Sequence, residues 1–331
     1  MIVAVDAYGG DNAPLEIIKG CAQAVKELNV KILLVGKENE LTKIIADNNI
    51  SRAGIDIMHA EGILTMEDEP TSIIKDKKDS SMAAAFYALK ESKADAFVSA
   101  GNSGAILVGA TMIVRRIRSI KRAALAVIMP SQGGPCMLCD CGANVECKPE
   151  YLEQFALMGS IYMKQILKID NPRIGLLNNG AESHKGLPLQ VEAYKLLSEN
   201  KSLNFIGNIE GRDLPFGKSD VVVTDGFTGN ITLKLYEGLG KMFSNSIKGI
   251  FKQSLVTKLG AVFVLKGLNN FKKTMDYTEY GGAPLLGICK PVIKAHGSSN
   301  AKAIKNAIRQ AVEFSTSKMI ESIEKNINSK N

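Results

Sequence analysis

The chain has no tryptophan, only three histidines, and a mere 6% of aromatic residues in 331. So few histidines leave few candidates for a general base. The scarcity of aromatics among the charges, with no recognisable binding motif, counts against nucleic acid as a partner. No apolar run approaches the roughly 18 residues of a membrane-spanning helix. No G-x-G-x-x-G follows the first strand-like run, which disfavours a nicotinamide-linked dehydrogenase. The chain opens directly on strand residues, which predicts no secretory leader and a cytoplasmic location. There is no internal repeat, and the one low-complexity tract is the polar tail 325–331.

What is present fits a large globular protein: 45% hydrophobic and 23% charged residues, with a mean hydropathy near zero at +0.02. A chain of this length exceeds what one core usually holds, so two lobes, or one domain with extensions, are expected. The net charge of +7 is unevenly placed. Between Glu237 and Asp276 lie seven lysines, including Lys252, Lys258 and Lys266, and no carboxylate. A second cluster is Arg115, Arg116, Arg118, Lys121 and Arg122. Either patch suits an acidic partner or an anionic membrane surface, or is a solvated helix face.

The stretch 219–234, S-D-V-V-V-T-D-G-F-T-G-N-I-T-L-K, reads as strand, glycine-rich turn and helix. Its β-branched run stops at Asp225-Gly226, passes Thr228-Gly229-Asn230, and then takes helical apolar spacing at Ile231, Leu235, Leu239 and Met242. Such a turn bares backbone N–H groups to a ligand, and the helix N-terminus favours negative charge. The same grammar recurs at Gly9-Gly10-Asp11-Asn12, at Gly101-Asn102-Ser103-Gly104, and over 178–186. If the strands before them are parallel, all four turns lie along one edge of a sheet, where open α/β sheets bind ligands. Asn12, Asn102, Asn144, Asn178 and Asn230 recur in these loops, as amide donors for phosphate or as ordinary turn formers. Lys185 closes one turn, as a ligand's cation or as an exposed loop lysine, and His296 precedes Gly297-Ser298-Ser299 at another helix start.

Alternation of strands and helices predicts a parallel sheet, made mixed by a hairpin of 123–129 against 135–141. Helices are expected over 14–28, 38–48, 80–91, 106–117, 149–168 and 188–199. The segment 229–271 should be a long helical region, one helix or two, since Gly238, Gly240, Gly249, Gly260 and Gly267 weaken it as one rod. One final helix, capped near Ser298-Ser299, should bury Ile304, Ile308, Ile320 and Ile323. Four of the six cysteines form C-x2-C-x-C-x5-C over 136–147. The second ligand pair of a zinc ribbon is missing, so reduced thiols are the preferred reading, with Cys139 and Cys141 on one face of a strand. Ser103 lacks the second glycine of a G-x-S-x-G nucleophile turn and has no evident base, which favours a phosphate-ligating hydroxyl.

The segments DAYGGDNAP (6–14), KKDSSM (77–82), SAGNSGA (99–105), GANVECKPE (142–150), NFIGNIEGRD (204–213), TDGFTGN (224–230), DYTEYGGAPLLG (276–287) and HGSSN (296–300) together resemble the PlsX family. These are the phosphate acyltransferases of bacterial phospholipid synthesis, and the likeness runs collinearly over the whole chain. Tyr8 stands where that family usually has methionine, Ser103 where it has threonine, and Asn179 and Ala181 alter its N-I-G-E-E loop.

The resemblance implies transfer of a long-chain acyl group from acyl carrier protein to inorganic phosphate, with no cofactor or metal. It implies an α/β, Rossmann-like, mixed and mostly parallel sheet with helices on both faces, similar to isocitrate and isopropylmalate dehydrogenases and phosphotransacetylases. A homodimer with an inter-lobe cleft in a single unit 1–331 is expected. So is a basic helical extension, 229–275, that docks carrier protein or the inner membrane face, where a membrane-bound glycerol-3-phosphate acyltransferase could be a partner. Because phosphate is itself the nucleophile, orientation and electrostatics suffice. The turns at Gly9, Gly10, Asp11 and Asn12, at Asn102, Ser103 and Gly104, and at Gly226, Thr228 and Gly229, with Asn144 and Lys148, are the expected phosphate and thioester sites. Lys185 would neutralise charge, Asn178 and Asn230 would donate, and Asp225 or His296 would orient or take a proton. A coenzyme A-dependent phosphate acyltransferase and a non-catalytic scaffold are the other readings.

Overall fold

A computed structural model describes residues 1–254, 257, 264, 267 and 281–328. Lys258, Lys266, the side chain of Lys252 and much of the expected extension 229–275 lie outside the described residues, as do positions 276–280.

The first half runs β1 (Ile2–Asp6), α1 (Leu15–Leu28), β2 (Lys31–Gly36), α2 (Glu38–Asp47), β3 (Ile55–His59), α3 (Ser81–Lys90), β4 (Ala96–Ser99) and α4 (Ser103–Gly109). The hairpin β5 (Ala124–Ser131) and β6 (Gly134–Cys139) follows, then α5 (Pro149–Gln165), β7 (Arg173–Asn178), α6 (Pro188–Glu199), β8 (Asn204–Glu210), β9 (Val221–Val223) and α7 (Gly226–Lys252). The last described elements are β10 (Ala283–Leu286), β11 (Val292–Lys294), α8 (Ala301–Thr316) and α9 (Met319–Asn328).

All these strands join one mixed sheet of order β3-β2-β1-β4-β11-β10-β5-β6-β9-β7-β8. Both faces are covered, as buried parallel strands require. On β1, Val3 and Val5 join one core with Ile17 and Ile18 of α1 and Ile304 and Ile308 of α8, while Ala4 joins Met82 and Phe86 of α3 on the other face. Beyond the hairpin, Val221 and Val223 pack with Phe155 of α5, and Val222 faces Leu138 and the α7 residues Leu233 and Tyr236.

The sheet contains two parallel blocks of opposite direction. β3, β2, β1, β4 and β11 run one way. Three successive antiparallel pairings, β11 with β10, β10 with β5 and β5 with β6, reverse the chain before β9, β7 and β8 follow β6 in parallel. The four glycine-rich turns therefore do not share one edge. Those after β1 and β4 lie at one margin, and those after β7 and β9 lie at the other.

Other expectations need correction. The helix expected over 106–117 starts earlier and ends early: α4 begins at Ser103 and passes into a π-turn over Ala110–Val114, which Arg115 closes at φ 85. The final helix is two, broken where Ser317 turns extended, and Asn300 rather than Ser298 or Ser299 caps it by accepting from the Ala303 N–H. Cys139 and Cys141 do not share a face, for one enters the core with α5 and the other enters the core under α7. In the described part of 229–271, the glycines do not divide the helix before Lys252. Each costs about 1 kcal/mol against alanine but, unlike proline, leaves the hydrogen-bond ladder whole. No described helix is long and apolar enough to cross a membrane.

Candidate active site

At the first margin the strands end on a buried carboxylate. Asp6 accepts from Ser81 Oγ at 2.6 Å and Ser99 Oγ at 2.7 Å, and Ser99 Oγ in turn accepts the Gly101 N–H at 3.0 Å. One side chain thus ties the loop after β1 to the start of α3 and the loop after β4. Gly9 fits between them because a Cβ there would stand 2.5 Å from Ser99 Oγ and 2.7 Å from the Gly101 nitrogen. Burial pushes the Asp6 pKa up, against three hydrogen bonds that pull it down. The turn at 9–12 closes on the turn after β11: the Asp11 N–H donates to the Gly297 carbonyl, and Asn12 Nδ2 donates to the carbonyls of Ser298 and Ser299.

The second margin repeats the device. Asp140, fully buried after β6, accepts from the N–H groups of Leu125, Ala143 and Asn144 and from Asn144 Nδ2. Asn144 donates onward to the Ala123 carbonyl and accepts the Gly226 N–H on its own carbonyl. The first turn of α7 is therefore seated against the 140–144 loop, and a Cβ at Gly229 would overlap the Asp140 carbonyl oxygen. Desolvation raises the Asp140 pKa as it does that of Asp6.

The sequence-predicted residues divide accordingly. Gly9, Gly10, Asp11, Asn12, Asn102, Ser103, Gly104 and His296 belong to the first margin. Asn144, Lys148, Asn178, Lys185, Asp225, Gly226, Thr228, Gly229 and Asn230 belong to the second, where Asn178, Thr228 and Thr232 line one shallow hollow. α7 links the margins: its start meets Asn144, and its middle lines a hollow with His296 and Ser298.

Several of these polar groups hold the loops in shape. Asn102 caps α4 by accepting the Ala105 N–H, and its amide donates to the carbonyls of Met66 and Asp68. Asp225 caps α7 through the Thr228 N–H, and Asn178 Nδ2 closes the 178–186 loop on the Lys185 carbonyl. The Asn230 side chain lies beside Gly142, 3.6 Å from where a Cβ would stand. His296 Nδ1 meets Ser298 Oγ at 2.9 Å. The Lys185 side chain is exposed and, among the described residues, carries no ion pair. Lys148 is exposed just before α5, as are Arg115 and Arg118 near α4, whereas the Arg116 guanidinium is tied to the Lys121 carbonyl.

Among the described residues neither Ser103 nor any cysteine donates to an activating base. Cys21, Cys136, Cys139 and Cys141 are buried, with burial as the main force raising their pKa values. The half-buried Cys147 is pushed up to about 12, and Cys289 is raised as well. No His, Asp or Glu accepts a hydrogen bond from Ser103, and no three His, Cys, Asp or Glu side chains form a metal cluster among the described residues. Sequence reasoning missed Asp6, Ser99 and Asp140 as organisers; their one signal is an acid or hydroxyl at a strand's end.

The chain has an α/β fold like that of solved phosphotransacetylases. The structure matches a phosphotransacetylase from Streptococcus pyogenes at a TM-score of 0.64 and 16% identity, covering 98% of this chain and 94% of that one. It matches the EutD phosphotransacetylase of Staphylococcus aureus at 0.62 and 15%, covering 95% and 94%. In sequence it is 49% identical to the phosphate acyltransferase of Acetivibrio thermocellus over 98% of this chain and 95% of that protein. It is also 49% identical to that of Thermoanaerobacterium thermosaccharolyticum, over 99% and 97%. The profile of the fatty acid synthesis protein family spans residues 1–322. The chain belongs to that family, and it is an acyltransferase.

Proposed function

We propose that the enzyme transfers a long-chain fatty acyl group from acyl carrier protein to inorganic phosphate. A phosphate oxygen attacks the thioester carbonyl, the C–O bond forms, the C–S bond breaks, and acyl phosphate and the free carrier thiol leave. The observation that carries this reading is the pairing of shaped, donor-bearing turns with thiols and a serine that have no activating base. An enzyme so equipped orients a nucleophile that arrives with the substrate.

Lys185 then balances the charge of phosphate or of the tetrahedral oxyanion, and Asn230 donates from the 226–230 turn. Gly226 and Gly229 let α7 present its N-terminal N–H groups, which favour an anion. His296 takes or holds a proton on the opposite wall. The strand twist of roughly 20–25° per step accumulates between β1 and β9, which supports a cleft in which the two margins face each other.

The exposed apolar row Phe227, Ile231, Leu235, Leu239 and Met242 along α7 supports a homodimer through that face. The basic segment that follows, with Lys252, Lys258 and Lys266, docks acidic carrier protein or the inner face of the membrane from the cytoplasm; Arg115, Arg116 and Arg118 are the competing carrier site. Comparing palmitoyl-acyl carrier protein with palmitoyl-coenzyme A as donors tests the reading. A kcat/KM at least tenfold higher for the carrier thioester is expected, and preference for coenzyme A would replace the donor.

A further inference from the structure

α7 carries two unlike faces. Flanking its apolar row, Lys234, Lys241 and Lys248 recur every seven residues, so they stand on one stripe at intervals of about 10 Å. That stripe forms one wall of a hollow of about 650 Å³, whose other wall is the turn after β11 with His296 and Ser298. Met129, Pro130 and Leu233 give the hollow apolar surface.

Lys294, half-buried at the end of β11, comes two residues before His296 of that second wall. Among the described residues its ammonium has no hydrogen bond and no ion pair. Desolvation lowers its pKa, Glu237 raises it and Lys234 lowers it further, so both of those hollow residues reach it electrostatically. Among the described residues Glu237 is the one carboxylate lining the hollow, against three lysines there, Lys234, Lys241 and Lys248. A desolvated cation without a partner is costly, and an anion entering beside it removes that cost. Lysines engage phosphate as point charges from flexible stems, which suits this spaced row better than planar bidentate recognition.

We propose that this hollow is a binding site for a phosphate head group, held by Lys294 with Lys234 and Lys241. The apolar surface beside the lysines gives room for a hydrocarbon chain on that head, so the phosphate arrives either free or at the end of an acyl chain. Only the choice between those two sources rests on the reaction proposed above.

The test is calorimetric titration of the full chain with inorganic phosphate, methylphosphonate and hexadecylphosphonate. Lys294→Met and Lys241→Met should each weaken phosphonate binding at least tenfold, while Lys43→Met, on distant α2, leaves it unchanged. Methionine keeps the stem and removes the buried charge, so Lys294→Met should melt no lower than the parent. Hexadecylphosphonate binding at least a hundredfold tighter than methylphosphonate identifies the acyl-bearing head; equal affinities, matched by inorganic phosphate, identify free phosphate. Unchanged affinity in a folded Lys294→Met overturns the site. A protein that binds phosphonate through Lys294 yet transfers no acyl group keeps this site and removes the proposed reaction. An active enzyme indifferent to Lys294 does the reverse.

Discussion

The Ser99 hydroxyl donates to Asp6 Oδ2 at 2.7 Å while accepting the Gly101 N–H at 3.0 Å, so a buried carboxylate sets the direction of a turn it does not touch. Because burial raises the Asp6 pKa, the folded state holds that proton more tightly than the unfolded chain does. The contribution of Asp6 to stability is therefore full below about pH 4, the unfolded value, and declines as pH rises through the folded pKa. Asp6→Asn abolishes this dependence without changing shape. Melting temperatures of both proteins from pH 4 to pH 8 should show Asp6→Asn gaining on the parent as pH rises. A gain by the parent over the same range contradicts the assigned direction.

Two glycines of α7 should respond in opposite senses. Gly229→Ala forces a methyl onto the Asp140 carbonyl, a backbone atom that cannot rotate away, and should cost about 1–3 kcal/mol. Gly238 has open space around its Cβ position, so Gly238→Ala should stabilise by roughly 0.5–1 kcal/mol. Urea denaturation of the pair measures both, and equal effects would mean that α7 is not seated on Asp140.

The thiols offer a direct probe of burial. At pH 8 the native enzyme should leave Cys21, Cys136, Cys139 and Cys141 unlabelled by a thiol reagent for as long as it stays folded. Cys147 and Cys289 should react slowly, because their raised pKa values leave little thiolate. Peptide mapping that finds Cys139 or Cys141 labelled first would show the hairpin end to be open.

Lys185 makes its loop contacts through its backbone, so its side chain can be removed cheaply. Lys185→Ala should keep the parent melting temperature and lose about 100–1000-fold in kcat, the usual magnitude for a lost oxyanion or phosphate contact. Lys185→Arg should restore part of it. Full activity in Lys185→Ala would move the charge-balancing role elsewhere.

Much of the fold and part of the site are legible in the order of residues along the chain. Strand ends at Asp6, Ser99, Asn178 and Val223 are marked by β-branched or aliphatic runs that meet glycine. The β5–β6 hairpin is marked by Gln132-Gly133-Gly134. What the sequence hides is the direction of the second block. That depends on three antiparallel pairings, and two of them involve β10, a four-residue strand whose partner β5 lies more than 150 residues earlier. Local pattern carries no information on such a pairing, so by pattern alone the turns at 9–12 and 226–230 look like neighbours. Asn102 and Asp225 are legible as turn residues, but pattern leaves open whether such a side chain caps its helix or faces a ligand. Lys294 is hidden for a similar reason: a lysine ending a strand reads as exposed until the fold buries it and brings Lys234 and Glu237 of α7 within electrostatic reach.

Direct attack of phosphate on the thioester, with no acyl-enzyme, is the step on which the proposed chemistry stands, and isotope exchange probes it. Labelled free carrier protein is incubated with unlabelled palmitoyl-acyl carrier protein and enzyme, with phosphate absent. Direct attack predicts no label in the acylated carrier until phosphate is added, when acyl phosphate forms. Label entering the acylated carrier without phosphate would require an acyl-enzyme and would rule direct attack out.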